Sequence, residues 1–142
     1  MKLVPISRIN QHLVEMFLSK AGNSLVSFRY FSTRPISVID KHLVTYMILD
    51  DNGMPVCYGH LDEEDGVVWL GVAVISSKTG EGLGKKMIEC LVEYGRLNKI
   101  KEIGLSVDAN NVNAIRLYEH FGFEKVKKTG TISFFRKRIS SV

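Results

Sequence analysis

Gly80, Gly82 and Gly84 alternate through "TGEGLGKK", residues 79–86, just before an amphipathic run. A glycine-rich turn that enters a helix aims its backbone amides at one spot, where the helix N-terminus already favours negative charge. Lys85 and Lys86 add two cations beside it. The chemistry implied is the holding of a phosphate-bearing ligand. A nucleoside-triphosphate loop, GxxxxGK[ST], needs glycine where Thr79 stands and a hydroxyl where Lys86 stands, and fails twice. A dinucleotide GxGxxG fingerprint begun at Gly80 needs glycine at Lys85 and fails once. What survives is a backbone cradle for a pyrophosphate that is held but not cleaved. A purely structural turn would have the same composition.

Tyr118, on the apolar face of a predicted helix, has the spacing of an ordinary core tyrosine. His60, in "YGHLDEED", has an imidazole that ordinarily titrates at about 6.5 and is a candidate base. Its orientation depends on strand register, because a slip of one residue reverses the face. Asp62, Glu63 and Glu64 follow it near a predicted turn and are expected to be solvated. Cys57 and Cys90 have no CxxC partner and no histidine partner in view, which argues against a nucleophilic thiol. His12, His42 and His120 show no ligand spacing, so no metal site is expected.

The elements that must position these groups follow from pattern. The 142 residues suit one domain, 1–142; 45% are hydrophobic and 24% charged, enough to build a core. No apolar run resembles a leader or a membrane span, and the expectation is a cytoplasmic protein without a membrane partner. The net charge of +4 and pI of about 9.1 fit an anionic ligand. Basic residues form no stripe with interleaved aromatics, so nucleic acid is not expected. Ile9, Leu13, Met16 and Phe17 predict a helix over about 7–21, and "PISVIDKH" a short second one. Asp51-Asn52-Gly53 and Glu64-Asp65-Gly66 are turns between strands predicted at about 43–49, 55–61 and 67–74. A helix after the glycine loop, a strand at 102–107, a helix entered through "DANNVN", and strands at 123–128 and 131–138 complete the chain. The sum is an α/β (α+β) fold, a mixed sheet with helices packed on it.

"TGEGLG" and the distant "NVNAIRLYEHFGFEKV" together resemble the GNAT superfamily of acyl-CoA-dependent N-acetyltransferases. That family carries a [QR]xxGx[GA] loop after its fourth strand and NxxAxxLYxxxGF on its last helix. Asn111, Ala114, Leu117, Tyr118, Gly122 and Phe123 complete the second motif; in the first, Thr79 stands in place of Gln or Arg. The resemblance implies a mostly antiparallel sheet with helices on both faces and a splayed strand pair that admits CoA. It implies that acetyl-CoA is the acyl donor, held by Val72, Ala73, Val74, Thr79, Gly80, Glu81, Gly82, Leu83, Gly84, Lys85 and Asn111. The Val72 amide would face the thioester carbonyl as an oxyanion donor, and Tyr118 would protonate the departing thiolate.

The glutamate many members use as base falls at Val68 here, which leaves His60 or water for that role. Members of the family choose their acceptor through the segment between the first two helices. Phe28, Arg29, Tyr30 and Arg34 lie in that segment, and its arginines point to a small anionic amine such as an amino acid derivative or nucleotide-linked amino sugar. The expected reaction is acetyl transfer to a primary amine by direct attack in a ternary complex, without metal, in a chain for which a homodimer is one state common to the family. A non-catalytic acyl-CoA sensor and a protein or peptide N-acetyltransferase are the alternatives.

Overall fold

The computed structural model describes residues 1–140. Seven strands form one sheet in the order β1-β2-β3-β4-β5-β7-β6. They are β1 (Lys2–Pro5), β2 (Val44–Leu49), β3 (Pro55–Glu64), β4 (Val67–Val74), β5 (Glu102–Asp108), β6 (Glu124–Thr129) and β7 (Ile132–Arg138). The helices are α1 (His12–Lys20), α2 (Ser24–Ser27), α3 (Leu83–Leu97) and α4 (Val112–His120). Every strand pair is antiparallel except β4 with β5. This is the mixed sheet expected from the pattern of strands and turns, and the mostly antiparallel one that the family resemblance implies.

β3 is the central strand, and residues 55–62 are all buried. Burial on both sides explains why Pro55 to Gly59 lack the polar alternation of a half-solvated strand; His60 and Asp62 are polar residues buried further along it. Its two sides face different helices. Tyr58 packs on Phe17 of α1, with ring centroids 6.1 Å apart. Gly59 faces the other way: a Cβ there would lie 2.5 Å from Met87 of α3. Glycine is therefore required where α3 crosses the sheet. Asp65 (φ 53°) and Gly66 (φ 80°) are both left-handed, the conformation of a two-residue hairpin turn. That tight turn carries β3 on to Glu64, three residues past the predicted end at 61, and fixes its register on β4.

Three other predictions shift. β1 escapes the sequence because it is four residues long and ends in proline, which suits its place at the sheet edge. The first helix starts at His12, not residue 7; residues 8–11 form turns, and Ile9, assigned to the buried face by its spacing, is 91% exposed. "PISVIDKH" folds as a 3-10 helix over Ile36–Lys41, whereas α2 is a single turn at Ser24–Ser27.

Candidate active site

β4 and β5 pair through a single register match, Trp69 with Gly104, and diverge beyond it. The splay leaves one edge of β4 without a strand partner. Ile75 N–H donates to Val56 O across β3 and β4. Alternation along an antiparallel ladder then places Gly71 and Ala73 in hydrogen-bonded pairs with His60 and Tyr58. Val72, opposite Gly59, turns its amide away from β3 and into the gap left by β5. A cleft of about 1040 Å³ runs along this gap, lined by Val72, Ala73 and Val74 at its centre.

One end of the cleft is the glycine loop. Gly80 (φ 85°) and Gly82 (φ 81°) are left-handed, and a Cβ on either would meet nothing within 4 Å. Their torsions, not crowding, demand glycine. Gly82 is the N-cap of α3 and no side chain caps that helix. The first backbone bond of the helix is Lys86 N–H to Gly82 O, so the amides of Leu83, Gly84 and Lys85 have no acceptor among the described residues. They converge on the cleft. Thr79 turns its hydroxyl back to Ser76 O at 3.1 Å, closing the loop on itself.

α4 supplies the next wall. Asn111 caps it, its Oδ1 accepting from Ala114 N–H at 3.3 Å, which leaves Nδ2 to donate into the cleft. Tyr118 lines the same wall and packs edge-on against Phe123, centroids 6.0 Å apart. Its phenol forms no hydrogen bond among the described residues, and burial pushes its pKa up to about 12. A neutral O–H donor therefore faces the cleft over the working range of pH.

The opposite face of the sheet carries a polar cluster that the sequence only half discloses. Tyr58, His60 and Asp62 alternate along β3 on the side away from α3. His60 is 2% exposed, and its Nδ1 lies 2.6 Å from Tyr58 Oη. Asp62, expected to be solvated, is 5% exposed and accepts from Tyr30 O–H at 2.7 Å. This correction follows from the turn: with β3 extended to Glu64, Asp62 lies inside the sheet at the same parity as His60. Tyr30 Oη also sits 2.7 Å from His42 Nε2, and His42 Nδ1 is 2.8 Å from Thr45 Oγ1. His42 thus belongs to the site although its sequence position gave no sign of it. Tyr30 spends its proton on Asp62, so His42 Nε2–H donates to the phenol oxygen and Thr45 donates to Nδ1. Trp69, opposite Asp62 on β4, also lines the cleft; nothing in its sequence context marked it.

The two arginines do not stand free. Arg29 makes a paired contact with Asp108, at 2.9 and 3.2 Å, which holds that carboxyl below its usual range. Arg34 lies 3.6 Å from Glu64 and stacks on Tyr30, 4.2 Å from the ring centroid. Phe28 packs on Tyr58, Tyr30 and Phe31 and closes the apolar side of the cleft. Among the described residues no three His, Cys, Asp or Glu gather as metal ligands, and no helix is long and apolar enough to cross a membrane.

Burial lowers His42 to about 4, and burial with its His42 and Arg34 neighbours lowers His60 well below 6.5. Both values lie under the unfolded value of about 6.5, so the unfolded chain binds more protons between them. Stability is then full above about pH 6.5 and falls as pH drops towards the folded values. For half-buried His42, solvent screening reduces the effect to on the order of 2 kcal/mol. Urea unfolding at about pH 7 and about pH 4.5 should show this loss, and His42→Gln should reduce it, leaving the share of His60; equal losses in both proteins would contradict the assignment.

The splayed strands, the uncapped glycine loop and the phenol facing the gap define an acyl-CoA transferase scaffold. The chain belongs to the GNAT acetyltransferase family: the family model described as "Acetyltransferase (GNAT) family" matches residues 10–123. The spermine/spermidine N(1)-acetyltransferase of Bacillus subtilis is 46% identical over 65 residues, 44% of this chain and 43% of that protein. The match thus spans under half the length of that relative. Among solved structures, the ribosomal-protein-S18-alanine N-acetyltransferase of Escherichia coli superposes with a TM-score of 0.76 at 17% identity, covering 99% of this chain and 95% of the other. The phosphinothricin acetyltransferase of Sinorhizobium meliloti, solved in complex with AcCoA, gives 0.74 at 14% identity over 98% and 88%. These likenesses are of fold.

Proposed function

We propose that residues 1–142 act as a single acetyl-CoA-dependent N-acetyltransferase domain whose acceptor is a cationic small amine of the polyamine type. The observation that carries the reading is the Val72 amide, turned into the β4–β5 gap between Tyr118 on one side of the sheet and an acid-bearing cluster on the other. The amides of residues 80–85 hold the pyrophosphate of acetyl-CoA, with Lys85 adding charge. Val72, Ala73, Val74 and Asn111 hold its arm. Thr79 shapes the loop through Ser76 and supplies no side-chain contact.

The bonds and protons of the reaction are accounted for by these residues and solvent. The amine nitrogen forms a bond to the acetyl carbon and the carbon–sulfur bond breaks. The Val72 N–H stabilises charge on the carbonyl oxygen, and Tyr118 O–H protonates the departing sulfur. The polyamine ammonium first gives one proton to solvent; on attack the amine gives a second to solvent or to Asp62, whose Oδ1 accepts no hydrogen bond from the described residues, and Tyr118 regains its own proton from solvent.

The acceptor class follows from charge. Asp62, Glu64 and Asp108 face the cleft, while Arg29 and Arg34 are already engaged with two of them. Trp69, paired with Asp62 across β3 and β4, lines the same cleft and adds an aromatic ring to its wall. This arrangement supports a cation in preference to the anionic amine that the arginines suggest when read alone. The spermine/spermidine N(1)-acetyltransferase activity of the Bacillus subtilis relative supports the same class. Thiol release from acetyl-CoA should be faster with spermidine or putrescine than with glutamate or an amino sugar phosphate. Asp62→Asn should raise KM for the polyamine by about tenfold or more, the loss of one charge-assisted contact. Preference for an anionic amine would overturn the assignment.

A further inference from the structure

His60 pairs across β3 and β4 with Gly71, the residue before Val72, and its hydrogen bonds bear on which of its nitrogens holds the proton. Tyr58 is fully buried, caged by the rings of Phe17, Phe28 and Phe31 at 6.1, 5.4 and 5.5 Å, and its phenol has His60 Nδ1 as its sole partner among the described residues. If Nδ1 carried the proton, the Tyr58 O–H would point into an apolar cage with no acceptor. If Tyr58 donates to Nδ1, both groups are satisfied. The imidazole proton then sits on Nε2. That edge of the ring lies over Gly71: a Cβ there would be 2.7 Å from Nε2 and 2.6 Å from Cε1. Gly71 precedes Val72 and lines the cleft with it.

We propose that His60 is a neutral hydrogen-bond donor to the acyl carbonyl oxygen, paired with the Val72 amide, and not the proton acceptor. Tyr58 is the positioning residue that holds its tautomer. The inference rests on the N-acetyltransferase reading for the identity of the oxygen, but the tautomer itself does not depend on it. The groups around the ring agree with a neutral imidazole: His42 lies with its ring centroid 4.5 Å away, Tyr30 at 4.3 Å, and Arg34 adds positive charge, while Asp62 is engaged by Tyr30. His60 takes up and releases no proton in the cycle; it lends one hydrogen bond to the oxygen that gains charge.

The test is nitrogen-15 NMR of the histidine-labelled protein at neutral pH, together with kinetics of two variants. His60 should appear as the neutral Nε2–H tautomer, and Tyr58→Phe should shift it toward Nδ1–H. An Nδ1–H or charged imidazole in the unsubstituted protein would overturn the proposal. His60→Ala should lower kcat by about 10²-fold, as loss of an oxyanion donor does, and His60→Gln, which restores an N–H but no basic nitrogen, should recover at least about tenfold of it. The acidic limb of the pH–rate profile should be the same in all three. Equal losses in Ala and Gln with disappearance of that limb, or no loss in either, would overturn the donor role. Absence of thiol release from the unsubstituted protein with every amine would instead sink the function proposed above and leave the NMR result readable.

Discussion

Tyr118→Phe should lower kcat by about 10²-fold while leaving the thermal stabilisation by acetyl-CoA unchanged. The substitution is clean because the phenol has no hydrogen-bond partner among the described residues, so removing its oxygen orphans nothing. The ring keeps its edge contact with Phe123. What is lost is an acid whose pKa, near 12, keeps it protonated until sulfur needs it. The effect should fall on kcat and on kcat/KM together, the mark of an interaction made only in the transition state. It should also shrink for a thioester whose thiol is a better leaving group. A variant with unimpaired kcat would make Tyr118 a wall of the cleft and nothing more.

Gly82→Val should abolish most of the stabilisation by acetyl-CoA without unfolding the protein. At φ 81° a β-branched residue lies outside its allowed torsions, so the loop must rearrange. A Cβ there meets nothing within 4 Å, so no core packing is disturbed. The amides of Leu83 to Lys85 lose their common aim. A tenfold weaker complex reduces ligand stabilisation by about 1.4 kcal/mol at a fixed excess of acetyl-CoA, and a shift of that size is readable in a melting curve. A variant that binds acetyl-CoA as well as the parent would show that the loop is structural.

The parts of this protein legible in sequence are those whose signal is local. Glycines at 80, 82 and 84 advertise an unusual backbone, and the Asn111–Phe123 segment is legible through its resemblance to a family motif, not through its spacing alone. The hairpin at Asp65-Gly66 was visible as a turn, but the strand on its near side was drawn too short. That error hid Asp62, because a carboxylate beside a turn is usually wet. Once β3 runs to Glu64, Asp62 falls on the buried side with Tyr58 and His60. Tyr30 was a candidate for the acceptor side, but its bond to Asp62 and the place of His42 were beyond reach for a different reason. Tyr30 opens a short 3-10 turn and His42 follows another, neither with periodicity, and their meeting with Asp62 is made by the chain folding back over β3. The arginines mislead for the same cause: a guanidinium reads as a free cation until its carboxylate, 79 residues away for Arg29, is seen.

Both faces of the account meet at the gap between β4 and β5, where one side delivers an acyl group and the other an amine. Thiol release from acetyl-CoA, followed with and without spermidine and matched against the N-acetylated product, tests that meeting most directly. The account predicts release that requires the amine and equals product mole for mole. Stabilisation by acetyl-CoA with no amine-dependent release from any cationic or anionic acceptor would contradict it and leave a protein that binds the donor but transfers nothing.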